Sequence, residues 1–133
     1  MNVQLEVSLP RIYGPDTRFA YVSWVPSASA AQTITGATAE CMGVKSVART
    51  SAGLYVVTLT EKPKAMTPWI EFENADATNY HFCKVDSKSL PASGSATITV
   101  SHKTCVFASV AAAPTASDTI DRLTVIVAMR TGT

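Results

Sequence analysis

Two histidines and two of the three cysteines are the side chains best suited to bind a metal ion. His81 and Cys83 share a face of one predicted strand, because they are two residues apart. His102 and Cys105 flank the start of another predicted strand. Two thiolates and two imidazoles can form a tetrahedral zinc site. The spacings H-x-C and H-x-x-C are, however, not the usual ones for zinc, and no turn glycine accompanies them. We therefore predict no metal and no other cofactor, and interpret the cysteines as small buried thiols beside surface or edge histidines.

Candidates for hydrolytic chemistry have little support in the sequence. No G-x-S-x-G elbow is present, and Gly94 and Ser95 lie in a predicted loop. Glu71 and Glu73 lie on one face of a single predicted strand, whereas the two carboxyl groups of a glycosidase usually face each other from different elements. The chain also has no P-loop and no G-x-G-x-x-G motif. We predict no catalytic residues and no enzymatic activity.

Aromatic side chains on predicted strands are candidates for a platform that stacks on sugars or bases. Such residues belong more often to a core or an interface. A carbohydrate-binding module would need them exposed in a cleft. The candidates are Trp24, Trp69, Tyr21, Tyr55 and Tyr80.

Short apolar segments separated by turn residues indicate a protein built of β-strands. Tyr55, Val57 and Leu59 alternate with their neighbours at the period of two that is typical of a half-buried strand. Gly53 precedes them in a short connection that suits a hairpin. Residues 19–25 are aromatic and β-branched on both faces, which predicts burial on both sides. The predicted strands are residues 3–9, 19–25, 44–50, 54–60, 69–73, 80–85, 96–101, 105–110 and 119–130.

The succession of strands predicts one all-β domain over residues 1–133, an antiparallel β-sandwich or a jelly roll. The last strand is apolar on both faces, so we expect it in the middle of a sheet or under a neighbouring element. Residues 111–117 are small and include Pro114, which favours a loop, with a short helix as the alternative.

Composition narrows the possible partners. The chain of 133 residues is 47% hydrophobic and 16% charged, which excludes the disordered class. Its net charge of +1 provides no excess of basic residues to neutralise phosphates, so we predict no nucleic-acid partner. The apolar runs 106–113 and 123–129 are shorter than the roughly 20 residues of a membrane span, so we predict no membrane partner. An odd number of cysteines and a polar, alternating start without a signal peptide favour a reducing compartment.

Two long stretches carry no charge at all, residues 19–39 and 104–117. They are rich in small residues, which lose little side-chain entropy on becoming ordered and therefore suit close contact with another protein. The alternative is that they are buried strands joined by small-residue loops. The candidate protein-contact residues are Ala28, Ala30, Ala31, Thr33, Val110, Ala111, Ala112 and Ala113.

The order of several segments gives the chain a resemblance to a known class of proteins. A hairpin of the form R-T-x-x-G-x-Y-x-V-x-L begins at Arg49, and the chain closes with an Asp-containing turn at Asp118 and Asp121. The final strand, with Val125 and Val127, ends in Arg130 and small residues. In this style residues 43–133 resemble small structural proteins of tailed bacteriophages, in particular capsid decoration (cement) proteins.

The resemblance implies a structural role without catalytic residues. Such a protein binds the assembled phage head and stabilises it by bridging major capsid subunits, commonly as a homotrimer. It resides on the capsid surface of the virion and is made in the host cytoplasm. The alternative is a tail-fibre or receptor-binding module, including a carbohydrate-binding one.

Overall fold

The computed structural model describes residues 17–109 and 113–130, and the regular elements in these ranges are β-strands and one 3-10 turn. The predicted strand 3–9 and the contact candidates Val110, Ala111 and Ala112 lie outside the described residues. The strands are β1 (Thr17–Trp24), β2 (Glu40–Met42), β3 (Val44–Ser51), β4 (Leu54–Leu59), β5 (Ala65–Glu73), β6 (Asn79–Ser89), β7 (Thr97–Val106), β8 (Thr115–Ala116) and β9 (Arg122–Arg130), with the 3-10 turn Phe107–Ser109 after β7.

The strands form two antiparallel sheets. Sheet A has the order β2-β1-β9-β5, and sheet B has the order β3-β4-β7-β6, with β8 also paired to β7. The predicted all-β class is confirmed, and the two sheets fit the predicted β-sandwich. The finer jelly-roll alternative stays a prediction. β9 lies between β1 and β5, which confirms the central position expected for a last strand that is apolar on both faces.

The core consists of the inner faces of the two sheets. On β4 the alternation gives complete burial of Tyr55, Val57 and Leu59, as the sequence predicts. The rings of Trp24 and Tyr55 meet edge to face, with centroids 5.7 Å apart. Burial of one such side chain contributes about 1.5–3 kcal/mol to stability. The other fully buried apolar residues are Ala20, Val22, Ala96, Ile98, Val100, Leu123, Val125 and Val127.

Two predicted elements differ from the structure, and one strand was not predicted, each for a physical reason. The prediction begins β5 at residue 69, yet the strand already starts at Ala65 and runs through Pro68. β5 is an edge strand with β9 on one side only, and an edge strand tolerates proline. The predicted strands 96–101 and 105–110 merge into β7, which runs from Thr97 to Val106, because residues 102–104 continue the pairing with β6. Residues 107–109 of the second predicted strand form the 3-10 turn instead, and residue 110 lies outside the described residues. The three-residue β2 is too short to give a periodic signal.

The prediction that residues 19–25 are buried on both sides is wrong for the outer face of β1. Ala20, Val22 and Trp24 are buried against sheet B, but Phe19 and Val25 are each 42% exposed. The aromatic and β-branched residues on the outer side of this strand therefore belong to the protein surface.

Candidate functional site

The two histidines lie side by side inside the molecule. Nδ1 of His81 on β6 lies 2.9 Å from Nε2 of His102 on β7, and the two ring planes are 8° from parallel. The other His81 nitrogen, Nε2, lies 3.1 Å from Asp76 Oδ2, and His102 Nδ1 lies 2.6 Å from the carbonyl oxygen of Ser117. We call this series Asp76–His81–His102–Ser117 the histidine chain. It ties the loop before β6 and the loop after β8 to the centre of sheet B.

Hydrogen-bond partners define where the protons of the histidine chain lie. The Ser117 carbonyl only accepts, so His102 Nδ1 donates and a neutral His102 accepts at Nε2. His81 must then donate from Nδ1, and it also donates from Nε2 when Asp76 is ionised. Burial lowers the pKa of His102, which favours its neutral form. Hydrogen bonds from Asn79 and then Thr78 hold the pKa of Asp76 well below its usual range, so at neutral pH its carboxylate accepts the hydrogen bond from His81 Nε2.

This arrangement contradicts the expectation of surface histidines, although His81 does belong to the edge strand β6. The His81 side chain is 2% exposed and His102 is fully buried. Both nitrogens of both rings are used within the protein, which leaves no lone pair for a metal ion or for a substrate proton. This geometry supports a structural role for the two histidines. Each ring gives a hydrogen-bond partner to buried polar groups that would otherwise have none.

Of the two cysteines predicted as possible metal ligands, Cys83 lies next to the histidines and Cys105 does not. Cys83 lies directly opposite His102 in the β6–β7 register, and burial raises the pKa of its thiol to about 12. Cys105 is opposite Tyr80, whose side chain points to the outer side of sheet B. Within residues 17–109 and 113–130, no group of three or more His, Cys, Asp or Glu side chains is placed to bind a metal.

A second polar cluster lies beside the histidine chain, around Asp118 in the loop between β8 and β9. Its Oδ2 accepts hydrogen bonds from Arg49 Nε at 3.0 Å and Nη2 at 2.8 Å. Its Oδ1 accepts from the backbone N–H of Gly53 at 2.9 Å and from the Tyr55 hydroxyl. Burial raises the pKa of this carboxyl, but the bonds from Arg49, Tyr55 and Gly53 outweigh it and lower the pKa to about 2. We call these four residues the Asp118 cluster.

Gly53 brings the tip of the β3–β4 hairpin into contact with β7 and with residue 117. Its φ is +64°, in the left-handed region that favours glycine. Its carbonyl oxygen accepts from the His102 N–H at 2.7 Å. A Cβ at this position would collide with the backbone of His102 and Ser117. The Asp118 cluster and the histidine chain are thus joined through adjacent backbone groups, and both hold loops against sheet B.

Sequence reasoning missed this assembly although it singled out most of its members. Arg49, Gly53, Tyr55 and Asp118 carry the resemblance to phage proteins, and the structure brings all four together. Their separation in sequence, 63 to 69 residues between the hairpin and Asp118, hides the contact. The sequence signal that could have revealed this contact is the pair of opposite charges, Arg49 and Asp118, since a partly buried Arg needs a carboxylate partner.

Four of the eight predicted contact residues lie in an ordered, exposed loop between β1 and β2. Ala28, Ala30, Ala31 and Thr33 are all exposed. The loop backbone covers the free edge of β3, with the Arg49 N–H donating to the Ala30 carbonyl at 2.7 Å. Ala113, also a contact candidate, is exposed too.

Gln32 gives this loop its shape from the inside. Only 7% of Gln32 is exposed, and its Oε1 accepts from the Ser27 N–H at 2.8 Å. Its Nε2 donates to the carbonyl of Ser27 at 3.1 Å. The buried amide therefore holds the exposed alanines in place.

The outer side of sheet A carries an apolar row that crosses all four strands. In the strand register Met42 is opposite Tyr21, Tyr21 is opposite Ile126, and Ile126 is opposite Trp69. Met42 is 53% exposed and Trp69 39%. Of the aromatic platform candidates, Trp24 and Tyr55 belong to the core, whereas Trp69 and Tyr80 are exposed.

Glutamates border this apolar row. Glu71 and Glu73 lie on the same outer side, at the edge strand β5, and both are exposed. Their face is therefore a solvated sheet surface. In the described residues no helix is long and apolar enough to cross a membrane.

With this geometry established, the chain can be compared with known proteins. The comparisons find no matching family model, no matching curated protein and no matching solved structure.

Proposed function

We propose that this protein is a structural protein of a bacteriophage particle, a capsid decoration (cement) protein. On this proposal it binds the assembled head as a homotrimer, bridges major capsid subunits and stabilises the shell from the capsid surface, after synthesis in the host cytoplasm. The proposal rests on the resemblance of residues 43–133 and on one structural observation, the ordered, uncharged loop between β1 and β2.

The loop has the properties of a preformed contact surface. Its exposed side chains, among them Ala28, Ala30 and Thr33, are small and uncharged, so docking orders few rotatable bonds. Its backbone is already fixed by Gln32 and by the edge of β3. Preorganisation of this kind lowers the entropic cost of association.

The polar clusters support a binding role over a catalytic one. In the histidine chain both nitrogens of each ring are engaged, and in the Asp118 cluster both carboxylate oxygens accept hydrogen bonds. Their chemistry is used to hold the loops that present the surface.

A decoration protein works by mass action, since it binds the assembled shell and not the dissociated subunits. Each copy needs to contribute only about 1–3 kcal/mol, because many symmetry-related copies act together and trimerisation adds avidity.

Cosedimentation of the purified protein with phage heads that lack it tests this proposal. We expect the wild-type protein to pellet with the heads and to raise the temperature at which they break. Ala30→Glu should weaken binding, because it buries an unpaired charge in the contact. Ala92→Glu is the matched control: Ala92 is an exposed loop alanine whose carbonyl, like that of Ala30, accepts a hydrogen bond. A wild-type protein that stays in the supernatant would overturn the proposal.

The second candidate function is a tail-fibre or receptor-binding module that binds carbohydrate. It is favoured by a groove of about 510 Å³ on the outer side of sheet A, with Tyr21, Glu40, Glu73 and Arg122 in its lining. An aromatic ring beside carboxylates and a guanidinium suits the faces and hydroxyl groups of a sugar. Binding to immobilised oligosaccharides that is lost in Arg122→Gln, and retained in Arg18→Gln, would support this candidate over the first.

A further inference from the structure

Two exposed aromatic surfaces lie on different sheets of the sandwich and carry opposite charges. The first, which we call the acidic face, is the outer side of sheet A, with its apolar row and three glutamates. Its residues are Met42, Tyr21, Ile126, Trp69, Glu40, Glu71 and Glu73. The second, which we call the basic patch, is the outer side of β6 and β7 together with the turn after β7. Its residues are Tyr80, Phe82, Lys84, Lys103 and Phe107.

The charge of the acidic face is not balanced within the molecule. None of the ion pairs among the described residues involves Glu40, Glu71 or Glu73. Two basic side chains lie on this face among the described residues: Arg122, whose Nη1 donates to Ser23 Oγ at 3.0 Å, and Arg130 at the far end of β9, four residues beyond Ile126. Three carboxylates against two guanidinium groups leave the face with one excess negative charge at neutral pH.

The basic patch combines exposed aromatic rings with lysines. Tyr80 and Phe82 are 49% and 50% exposed, and the Tyr80 ring packs edge to face on Phe107 at 4.1 Å. Lys103 lies directly opposite Phe82 in the β6–β7 register. A groove of about 420 Å³ runs along these residues, with Phe82, Lys84 and Lys103 in its lining.

Asp86 lies beside the basic patch and does not cancel its charge. Lys84 Nζ lies 3.2 Å from Asp86 Oδ1, which neutralises one lysine in part. Lys103 takes part in none of the ion pairs among the described residues, so its charge is available to a partner.

We propose that the acidic face of one copy of this chain docks on the basic patch of a second copy. Each surface offers exposed aromatic rings and an excess charge that the other surface matches. Protein contacts with matched potentials associate faster and more specifically than contacts of like charge. This proposal deepens the homotrimer of the proposed function and rests on it.

The same charges exclude a two-fold contact through either surface alone. A two-fold contact pairs a patch with itself, so two acidic faces would bring six glutamates together. The contact is therefore head to tail. Contacts of this type form closed rings, such as a trimer, when the rotation between copies closes.

Light scattering coupled to size-exclusion chromatography of the full chain tests the proposal. We expect the wild-type protein to be oligomeric at about 0.1 M salt and to dissociate as salt is raised. Glu71→Lys and Lys103→Glu should each weaken association about tenfold, and the double reversal should restore it to within about threefold of the wild type. Lys45→Glu, an exposed lysine on β3 outside both surfaces, is the control and should leave association unchanged.

A second pair of variants tests the apolar part of the contact. Trp69→Ser should weaken association about tenfold, whereas Leu90→Ser, with nearly the same exposed fraction (38% against 39%), should not. Circular dichroism of each variant shows that the fold is intact.

The outcomes separate this proposal from the proposed function. A monomeric wild-type protein that still pellets with phage heads overturns the head-to-tail contact and retains the decoration role. A second outcome is an oligomer whose association responds to the charge reversals as expected but which stays in the supernatant with phage heads. This outcome supports the head-to-tail contact and overturns the decoration role. Charge reversals without effect, or a double variant weaker than either single one, would overturn the contact even if the protein is oligomeric.

Discussion

Asp118→Asn removes the charge of the Asp118 cluster while it preserves the size of the side chain, and it should destabilise the fold by about 3 kcal/mol. The carboxyl has a pKa of about 2 in the folded protein, against its ordinary value of 3.8. A tenfold change in an acid constant is worth about 1.4 kcal/mol, so this depression stabilises the fold by about 2 kcal/mol at neutral pH. Only 18% of the side chain is exposed, so solvent screens little of this energy. The remainder comes from the amide group, which presents N–H donors to the donors of Arg49 and Tyr55.

Urea unfolding of the wild type and the variant gives this free-energy difference directly. At pH 7 the variant should lose about a quarter of a typical domain stability, well above the error of the method. The carboxyl titrates lower in the folded than in the unfolded chain, so its contribution is complete above about pH 4 and disappears as the pH falls towards 2. The difference between the two proteins should therefore shrink over that interval.

Asp121→Asn is the matched control in the same loop. The Asp121 carboxylate is exposed and accepts from the Ala75 N–H at 2.7 Å, so we expect a loss below about 1 kcal/mol. Equal losses for the two variants, or a loss at Asp118 that does not change between about pH 5 and pH 2, would refute the account of the cluster.

Three further predictions concern the same part of sheet B. Gly53→Ala should cost more than about 2 kcal/mol in urea unfolding, because it adds a collision to a left-handed backbone, whereas Gly36→Ala, with a φ of +112° but open space around it, should cost less. The pKa of His102 is lowered by burial from its ordinary value of 6.5, so the unfolded chain takes up the proton first and stability should fall as the pH drops through 6.5. His102→Gln should flatten this profile, and an equally steep profile in the variant would contradict the assignment. Elemental analysis should find no stoichiometric zinc, since the ring nitrogens of both histidines are engaged; one zinc per chain, lost together with the fold in chelator, would contradict this.

The fold was predictable where burial on one side imposes a strict period of two. β4 and β9 show that pattern, and their buried residues follow the sequence residue by residue. The continuity of β7 was not predictable in this way, because His102 and Thr104 interrupt the apolar pattern with polar side chains. In the folded protein both residues pair with β6, and the His102 ring has a hydrogen-bond partner in the Ser117 carbonyl. Tertiary pairing decides such cases over local pattern.

The residues of the candidate site could be singled out from the sequence, but their contacts with one another could not. The sequence placed His81 and Cys83 on one face correctly, since spacing along a single strand decides it. That His81 meets His102 depends on the register between β6 and β7, which no local pattern encodes. The exposed charge of the acidic face likewise becomes visible only when β2, β1, β9 and β5 are assembled.

The position of β9 between β1 and β5 has a consequence for how the protein is made. During synthesis the chain emerges from its amino end, so β1 and β5 are available long before the strand that joins them. Until residues 122–130 leave the ribosome, both strands carry unpaired backbone groups along the sides that β9 will occupy. Long-range pairings of this kind form slowly, and chains that await them expose surfaces that aggregate. Sheet A is therefore completed only after residues 122–130 have emerged, and chains that stop before residue 122 should be substrates for chaperones or proteases rather than partly folded domains.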